Sequence, residues 1–134
     1  MALVDPIYLD TSALVKLLIE EPETAALSDY IGSSGFQMTT SVVTEVELAR
    51  AVSRVEESHQ KEVASLLNGQ VLVPLTDSIR LRAAHLQPFG IPSLDAIHLA
   101  TAVEIQPSLH AVISYDRRMS EAAGSFGLEV LAPA

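Results

Sequence analysis

The sequence predicts an α/β fold: three layers, α/β/α, around a central, mostly parallel sheet of four or five strands. Three observations predict it. Short β-rich runs alternate with helical stretches along the whole chain. The runs are apolar rather than alternating, as strands covered on both faces are. The chain of 134 residues contains no internal repeat, linker or low-complexity tract, so residues 1–134 form a single domain.

Taken in order, residues 7–9 (IYL) form the first strand, closed by Asp10. Residues 12–20 read as a helix with Leu14, Leu17 and Leu18 as its apolar stripe and Thr11 or Ser12 as its cap. Pro22 opens a second helix over 23–31, stopped by Gly32-Ser-Ser-Gly35. Strand 36–39 follows, then helices over 41–54, capped by Thr40 or Ser41, and over 57–67, ended by Asn68-Gly69. Residues 70–75 (QVLVPL) are a strand, and 77–86 a helix capped by Thr76 or Asp77. Pro88, Gly90 and Pro92 break the chain ahead of the most regular helix, 94–105, with Ser93 as its cap. Residues 111–115 (AVISY) are an apolar strand, 117–123 a short helix and 128–131 a last strand.

Composition excludes several functional classes. Hydrophobic residues make up 49% of the chain, enough for a real core, and with 4% aromatics and no Trp that core is aliphatic. The absence of cysteine removes disulfides, thiolate zinc sites and cysteine nucleophiles. The opening MALVDPIYLD lacks the basic start and apolar run of a signal peptide, and no uninterrupted apolar stretch reaches membrane-span length. A soluble, cytoplasmic protein with no membrane partner is the expectation. A net charge of −9 argues, at face value, against a nucleic-acid partner.

Four of the acids are not placed like surface acids. Asp10 and Asp116 each follow an apolar strand, at the carboxyl end where open α/β sheets bind ligands. Either could equally be a helix N-cap. Asp95 lies in the first turn of an otherwise apolar helix (PSLDAIHLATA), where a buried acid needs a partner and a metal ion can serve. Glu47 and Glu45 share the helix SVVTEVELARAV and point about 200° apart, so only one can face a site, and composition does not choose between them. Arg50 and Arg54 follow on the face of Glu47, where a surface ion pair is the alternative to a role in binding. Four carboxylates without cysteine suit an oxygen-only site for a hard cation such as Mg²⁺ or Mn²⁺. Such a site turns an acidic pocket into one that attracts phosphate. His59, His85, His98 and His110 show no zinc-like spacing and read as structural or exposed, and no Gly-rich phosphate loop or Gly-x-Ser-x-Gly elbow is present.

These residues resemble the PIN domain, specifically the VapC-type toxins. YLDTSALVKL is similar to the first family motif. TSVVTEVELARA is similar to the second, in which the acid is the Glu of the Glu-Leu pair, here Glu47. SLDAIHLATA matches the third with Asp95, and ISYDRRMSEAAGSFGLEVL the fourth with Asp116. Ser114 stands where the family often has Thr. The motifs occur in family order over nearly the whole chain. The resemblance implies a PIN-like sandwich and a Mg²⁺- or Mn²⁺-dependent endoribonuclease. It further implies Asp10, Glu47, Asp95 and Asp116 as metal-binding catalytic residues, homodimerisation, and a VapB-type antitoxin that inhibits the toxin in a heterocomplex. Arg50, Arg54, Arg117 and Arg118 are candidate phosphate guides because they adjoin two of the four acids, and Ser114 is a further candidate contact to RNA.

Two other readings compete. A phosphatase of the aspartyl-phosphate type would want a second Asp two residues after Asp10, where Ser12 stands, and a late Lys, whereas the last one is Lys61. A degenerate PIN domain used only for binding would ordinarily have lost an acid, and all four are present. The helices at 12–31 and 41–67 carry more apolar positions than one sheet face needs, so the partner surface is expected there.

Overall fold

The computed structural model describes residues 4–55 and 59–134. Five parallel strands, β1 (Pro6–Leu9), β2 (Gln37–Ser41), β3 (Val71–Val73), β4 (Ala111–Ile113) and β5 (Val130–Leu131), form one sheet in the order β3-β2-β1-β4-β5. The register pairs Tyr8 with Thr39 on one side and with Val112 on the other. Helices α1 (Thr11–Lys16), α2 (Thr24–Ser34), α3 (Thr44–Ser53), α4 (Gln60–Asn68), α5 (Asp77–Ala84), α6 (Ser93–Glu104) and α7 (Arg117–Ser125) connect the strands. This is the expected three-layer sandwich with five strands.

Two-residue alternation in β1 separates the layers. Ile7 and Leu9 face a cluster with Leu14, Leu27, Leu48 and Val63, drawn from α1 to α4. Tyr8 faces the opposite cluster, with Ile79, Leu99, Met119 and Ala123 from α5 to α7. From β1 the chain winds outward through β2 to β3, then crosses to β4 and winds outward the other way to β5. The winding therefore reverses between β1 and β4. Such a reversal opens a crevice at the carboxyl ends of the two strands.

Several boundaries differ from the sequence reading, each for a local reason. The first helix ends at Lys16, not residue 20, because Leu18 and Ile19 turn back on the Val15 carbonyl and Thr24 Oγ1 donates to the Lys16 carbonyl. Helix α2 runs through Gly32 and stops at Gly35, whose φ of 72° supplies the left-handed cap. Thr40 and Ser41 are not helix caps but the end of β2. Thr40 Oγ1 donates to the Leu9 carbonyl, and α3 starts only at Thr44. Consequently β2 is buried yet polar, an exception to the apolar pattern. Strands β3, β4 and β5 are two to three residues shorter than expected, and α5 ends at Ala84. Helix α6 begins at Ser93 itself, after Pro92. The caps of α5 by Thr76 and of α4 at Gly69 fall as read. Residues 57–58 of the expected 57–67 helix lie outside the described residues. No helix among the described residues is long and apolar enough to cross a membrane.

Candidate active site

Asp10 follows β1 and Asp116 lies three residues beyond β4, so the two acids flank the crevice where the winding reverses. Both are true helix N-caps. Asp10 Oδ1 accepts from the Ala13 amide at 3.1 Å, and Asp116 Oδ1 from the Met119 amide at 3.1 Å. The cap and site readings are thus compatible, since capping uses one oxygen of each carboxylate. Asp10 is buried, and two hydroxyls also donate to its carboxylate. Ser12 Oγ donates to Oδ1 at 2.6 Å and Ser114 Oγ to Oδ2 at 2.5 Å. Burial nevertheless raises its pKa, against the lowering effect of Ser114, Ser12, His98 and the Ala13 amide.

Helix α6 brings Asp95 to the same edge, half-buried. Its pKa is raised, first by burial and then by the negative charges of Asp116, Asp10 and Glu47, with His98 opposing. Asp95 therefore lies in the field of the other three expected acids. Glu45 is exposed, whereas Glu47 turns inward: Thr11 Oγ1 donates to its Oε1 at 3.0 Å, and His98 Nε2 lies 2.7 Å from the same oxygen. Burial would raise the Glu47 pKa, but the His98 bond and charge and the Thr11 bond outweigh it and the net shift is downward.

Among the described residues no Lys or Arg pairs with any of the four acids. The ion pairs lie elsewhere, at Lys16 with Glu21 and Glu23, Arg80 with Asp77, Arg82 with Glu104 and Arg117 with Glu121. Four carboxylates at one sheet edge, without a Lys or Arg partner among the described residues, fit a hard divalent ion in donor chemistry and in sign. As the side chains stand, no three acid or histidine groups among the described residues are close enough together to hold one. Asp10 and Glu47 are instead turned toward hydroxyls and the imidazole.

The other expected contacts are less uniform. Ser114 is fully buried behind Asp10, where it also accepts from the Asp116 amide at 3.1 Å, so it orients two acids rather than facing RNA. Arg118 lines a groove of about 410 Å³ with Asp95, Ile91 and Glu121. Arg117 is exposed and its Nε lies 3.7 Å from Glu121. Arg50 and Arg54 line a separate shallow surface and make no ion pair with Glu47. The sequence reading took Thr11 or Ser12 as the cap of the first helix, a place that Asp10 holds instead, and read His98 as structural or exposed, so it missed their bonds to Asp10 and Glu47. The signal for His98 was its place three residues after Asp95, on the same helical face.

Comparison with known proteins identifies the family and the fold. The PIN domain family model matches residues 7–125. Ribonuclease VapC47 of Mycobacterium tuberculosis is 40% identical over 131 residues, covering 95% of this chain and 96% of that protein. Ribonuclease VapC46 of the same species is 38% identical over 127 residues, covering 95% and 97%. Among solved structures, a toxin–antitoxin complex from Klebsiella pneumoniae superposes with a TM-score of 0.73 at 21% identity, covering 96% of this chain and 98% of that one. VapC20 of M. tuberculosis, described as a sarcin–ricin loop cleaving toxin, gives 0.71 at 14% identity, covering 95% and 99%. With its four motifs in order, its acids at the switch point of a β3-β2-β1-β4-β5 sheet and full-length relatives near 40% identity, the chain belongs to the PIN domain family and, within it, to the VapC ribonucleases.

Proposed function

We propose that this protein is an Mg²⁺- or Mn²⁺-dependent endoribonuclease, the toxin of a VapBC-type pair, working on cytoplasmic RNA. The observation that carries the reading is the set Asp10, Glu47, Asp95 and Asp116 at one sheet edge, with Asp95 in the field of the other three and, among the described residues, no Lys or Arg partner. Asp10, Asp95 and Asp116 are the residues that would hold the ion, with Glu47 completing the site. The ion supplies positive charge to the phosphate and acidity to the attacking water.

The chain's own residues do the positioning. Ser12 and Ser114 aim the Asp10 carboxylate, and the Ser114 hydroxyl ties Asp116 to it. Arg118, which shares a groove with Asp95, is the basic residue best placed to receive a phosphate flanking the scissile bond. Attack by water requires no 2′-hydroxyl nucleophile, so the products carry a 5′-phosphate and a 3′-hydroxyl. Exposed Val46 and Val55 on and just after α3, with Leu81, Phe89 and Leu94 around α5 and α6, supply apolar area for a homodimer and for the antitoxin. No large apolar side chain of the 12–31 stretch is among the strongly exposed ones, whereas Val46 and Val55 fall within the 41–67 stretch. An antitoxin Arg entering the acidic crevice would meet carboxylates bidentately.

The test is digestion of an unstructured RNA by the purified protein with Mn²⁺, with Mg²⁺ and with excess EDTA, followed by analysis of product ends. Cleavage only with metal, leaving 5′-phosphates, is expected. A 2′,3′-cyclic phosphate, or full activity in EDTA, would overturn the proposal.

A further inference from the structure

Glu47 reaches the crevice from α3, whose Leu48 and Val52 pack on the Ile7 and Leu9 side of the sheet. Asp95 and His98 reach it from α6, on the Tyr8 side. The contact of Glu47 with His98 therefore joins the two helical layers above the sheet's carboxyl edge. A flexible three-torsion side chain at such a junction needs an anchor to hold one geometry.

We propose that Tyr8 and His98 form a positioning pair that locks one oxygen of Glu47, Oε1, and so presents the other, Oε2, to the metal ion. The inference rests on the metal-site reading above and deepens it. Both hydrogen-bond partners of Glu47, Thr11 at 3.0 Å and His98 at 2.7 Å, meet Oε1, and among the described residues none meets Oε2. An ionised carboxylate only accepts, so His98 Nε2 carries the hydrogen. The Tyr8 hydroxyl lies 2.5 Å from the other ring nitrogen, Nδ1, so the imidazole is held at both nitrogens. Tyr8 is fully buried and His98 is 2% exposed, so water has little access to substitute for either partner. The contacts run in series, Tyr8 to the imidazole and the imidazole to Glu47. The Tyr8 and His98 rings also meet edge-on, with centroids 5.8 Å apart, which restrains the imidazole plane. Asp95 and His98 share a face of one helix, so the element that carries one candidate ligand also sets the position of the other. Partners of this kind behind metal ligands affect affinity about 10- to 100-fold.

Calorimetric titration of the metal-free full-length protein with Mn²⁺ tests the proposal, with thermal melts run alongside. The variants are His98→Leu, which removes the donor; His98→Gln, whose amide can still donate to Glu47; Tyr8→Phe, which removes only the hydroxyl; and Asp10→Asn as reference. His98→Leu should weaken Mn²⁺ binding by about tenfold or more, Tyr8→Phe by less, and His98→Gln should recover part of the loss. Their order in affinity should not follow their order in melting temperature, as it would if the pair were only packing. Should His98→Leu fail to fold, Tyr8→Phe and His98→Gln decide. If variants at 8 and 98 bind Mn²⁺ within about twofold of wild type while Asp10→Asn loses it, the positioning role is wrong and the metal site stands. If Asp10→Asn also binds normally, the metal-site reading itself fails and this proposal with it.

Discussion

At the residue scale, Asp10 and Asp116 show that a carboxylate can cap a helix with one oxygen and leave its charge directed at a crevice. Asp10→Asn separates the two duties. Asn keeps the cap acceptor and the shape but removes the charge. Cleavage should be nearly abolished, while the metal-free variant should melt higher than the metal-free wild type, because burial penalises the Asp10 charge. A differential scanning measurement in EDTA checks the second outcome, and a melting temperature below wild type would contradict it. Ser114→Ala should do the opposite. It strips a buried partner from Asp10 Oδ2 and from the Asp116 amide, at about 1–3 kcal/mol by chemical denaturation, with a loss of activity alongside. Asp10, Asp95 and Asp116 were legible in the sequence because each ends or interrupts an apolar run, and Glu47 only through the resemblance of its motif. Ser12, Thr11 and His98 were not, because a hydroxyl near a strand end or a histidine in a helix is ordinary until its partner's position in space is known.

At the element scale, the course of α2 separates two glycines that look alike in sequence. Gly35 has φ of 72°, whereas Gly32 lies inside the helix with open space where a Cβ would stand. Gly32→Ala should therefore stabilise the protein by about 0.5–1 kcal/mol, and Gly35→Ala should destabilise it by about 1–2 kcal/mol, both read from urea midpoints. Had the helix stopped at Gly32, as the run Gly-Ser-Ser-Gly suggested, the first sign would be reversed. The basic elements can be sorted in a similar way. Arg118, on α7 beside Asp95, should on conversion to Ala weaken RNA binding and flatten its salt dependence, measured by binding isotherms over a salt series. Arg50→Ala, on the separate surface of α3, should do so less if the RNA follows the α6–α7 groove. Helix existence and order were readable from periodicity. The misplaced boundaries at Lys16, Thr44 and Ile113 are those where a side chain or a turn took a backbone partner that propensity alone does not anticipate.

At the scale of the whole molecule, the acid cluster links stability to pH and metal. Asp10 and Asp95 have folded pKa values above the ordinary 3.8, so their contribution is fully present below that value and is lost as pH rises through the folded pKa. Glu47, held below its ordinary 4.5, contributes in the other direction, above that value, and loses its contribution only as pH falls through the lowered folded pKa. The melting temperature of the metal-free protein should therefore increase from neutral pH toward about pH 5. Saturating Mn²⁺ should raise the neutral value most and flatten that slope, since a ligand bound only by the folded state stabilises it. Melts across pH with EDTA and with Mn²⁺ measure both, and curves that coincide would count against a metal-coupled cluster.

By itself the sequence determined the α/β class and the parallel sheet, and it singled out Asp10, Asp95 and Asp116, because periodicity and an acid that ends or interrupts an apolar run are local properties. It also carried the family, through motifs whose order survives without coordinates. The tertiary structure alone decided that Glu47 and not Glu45 turns inward, that Ser114 sits behind Asp10 and that His98 joins α6 to α3. The last two of those facts pair residues distant in the chain, and the first sets which side of α3 faces a helix about fifty residues further on. Such pairings arise from the reversal of winding between β1 and β4, which brings segments together across the sheet edge and leaves no trace in local pattern.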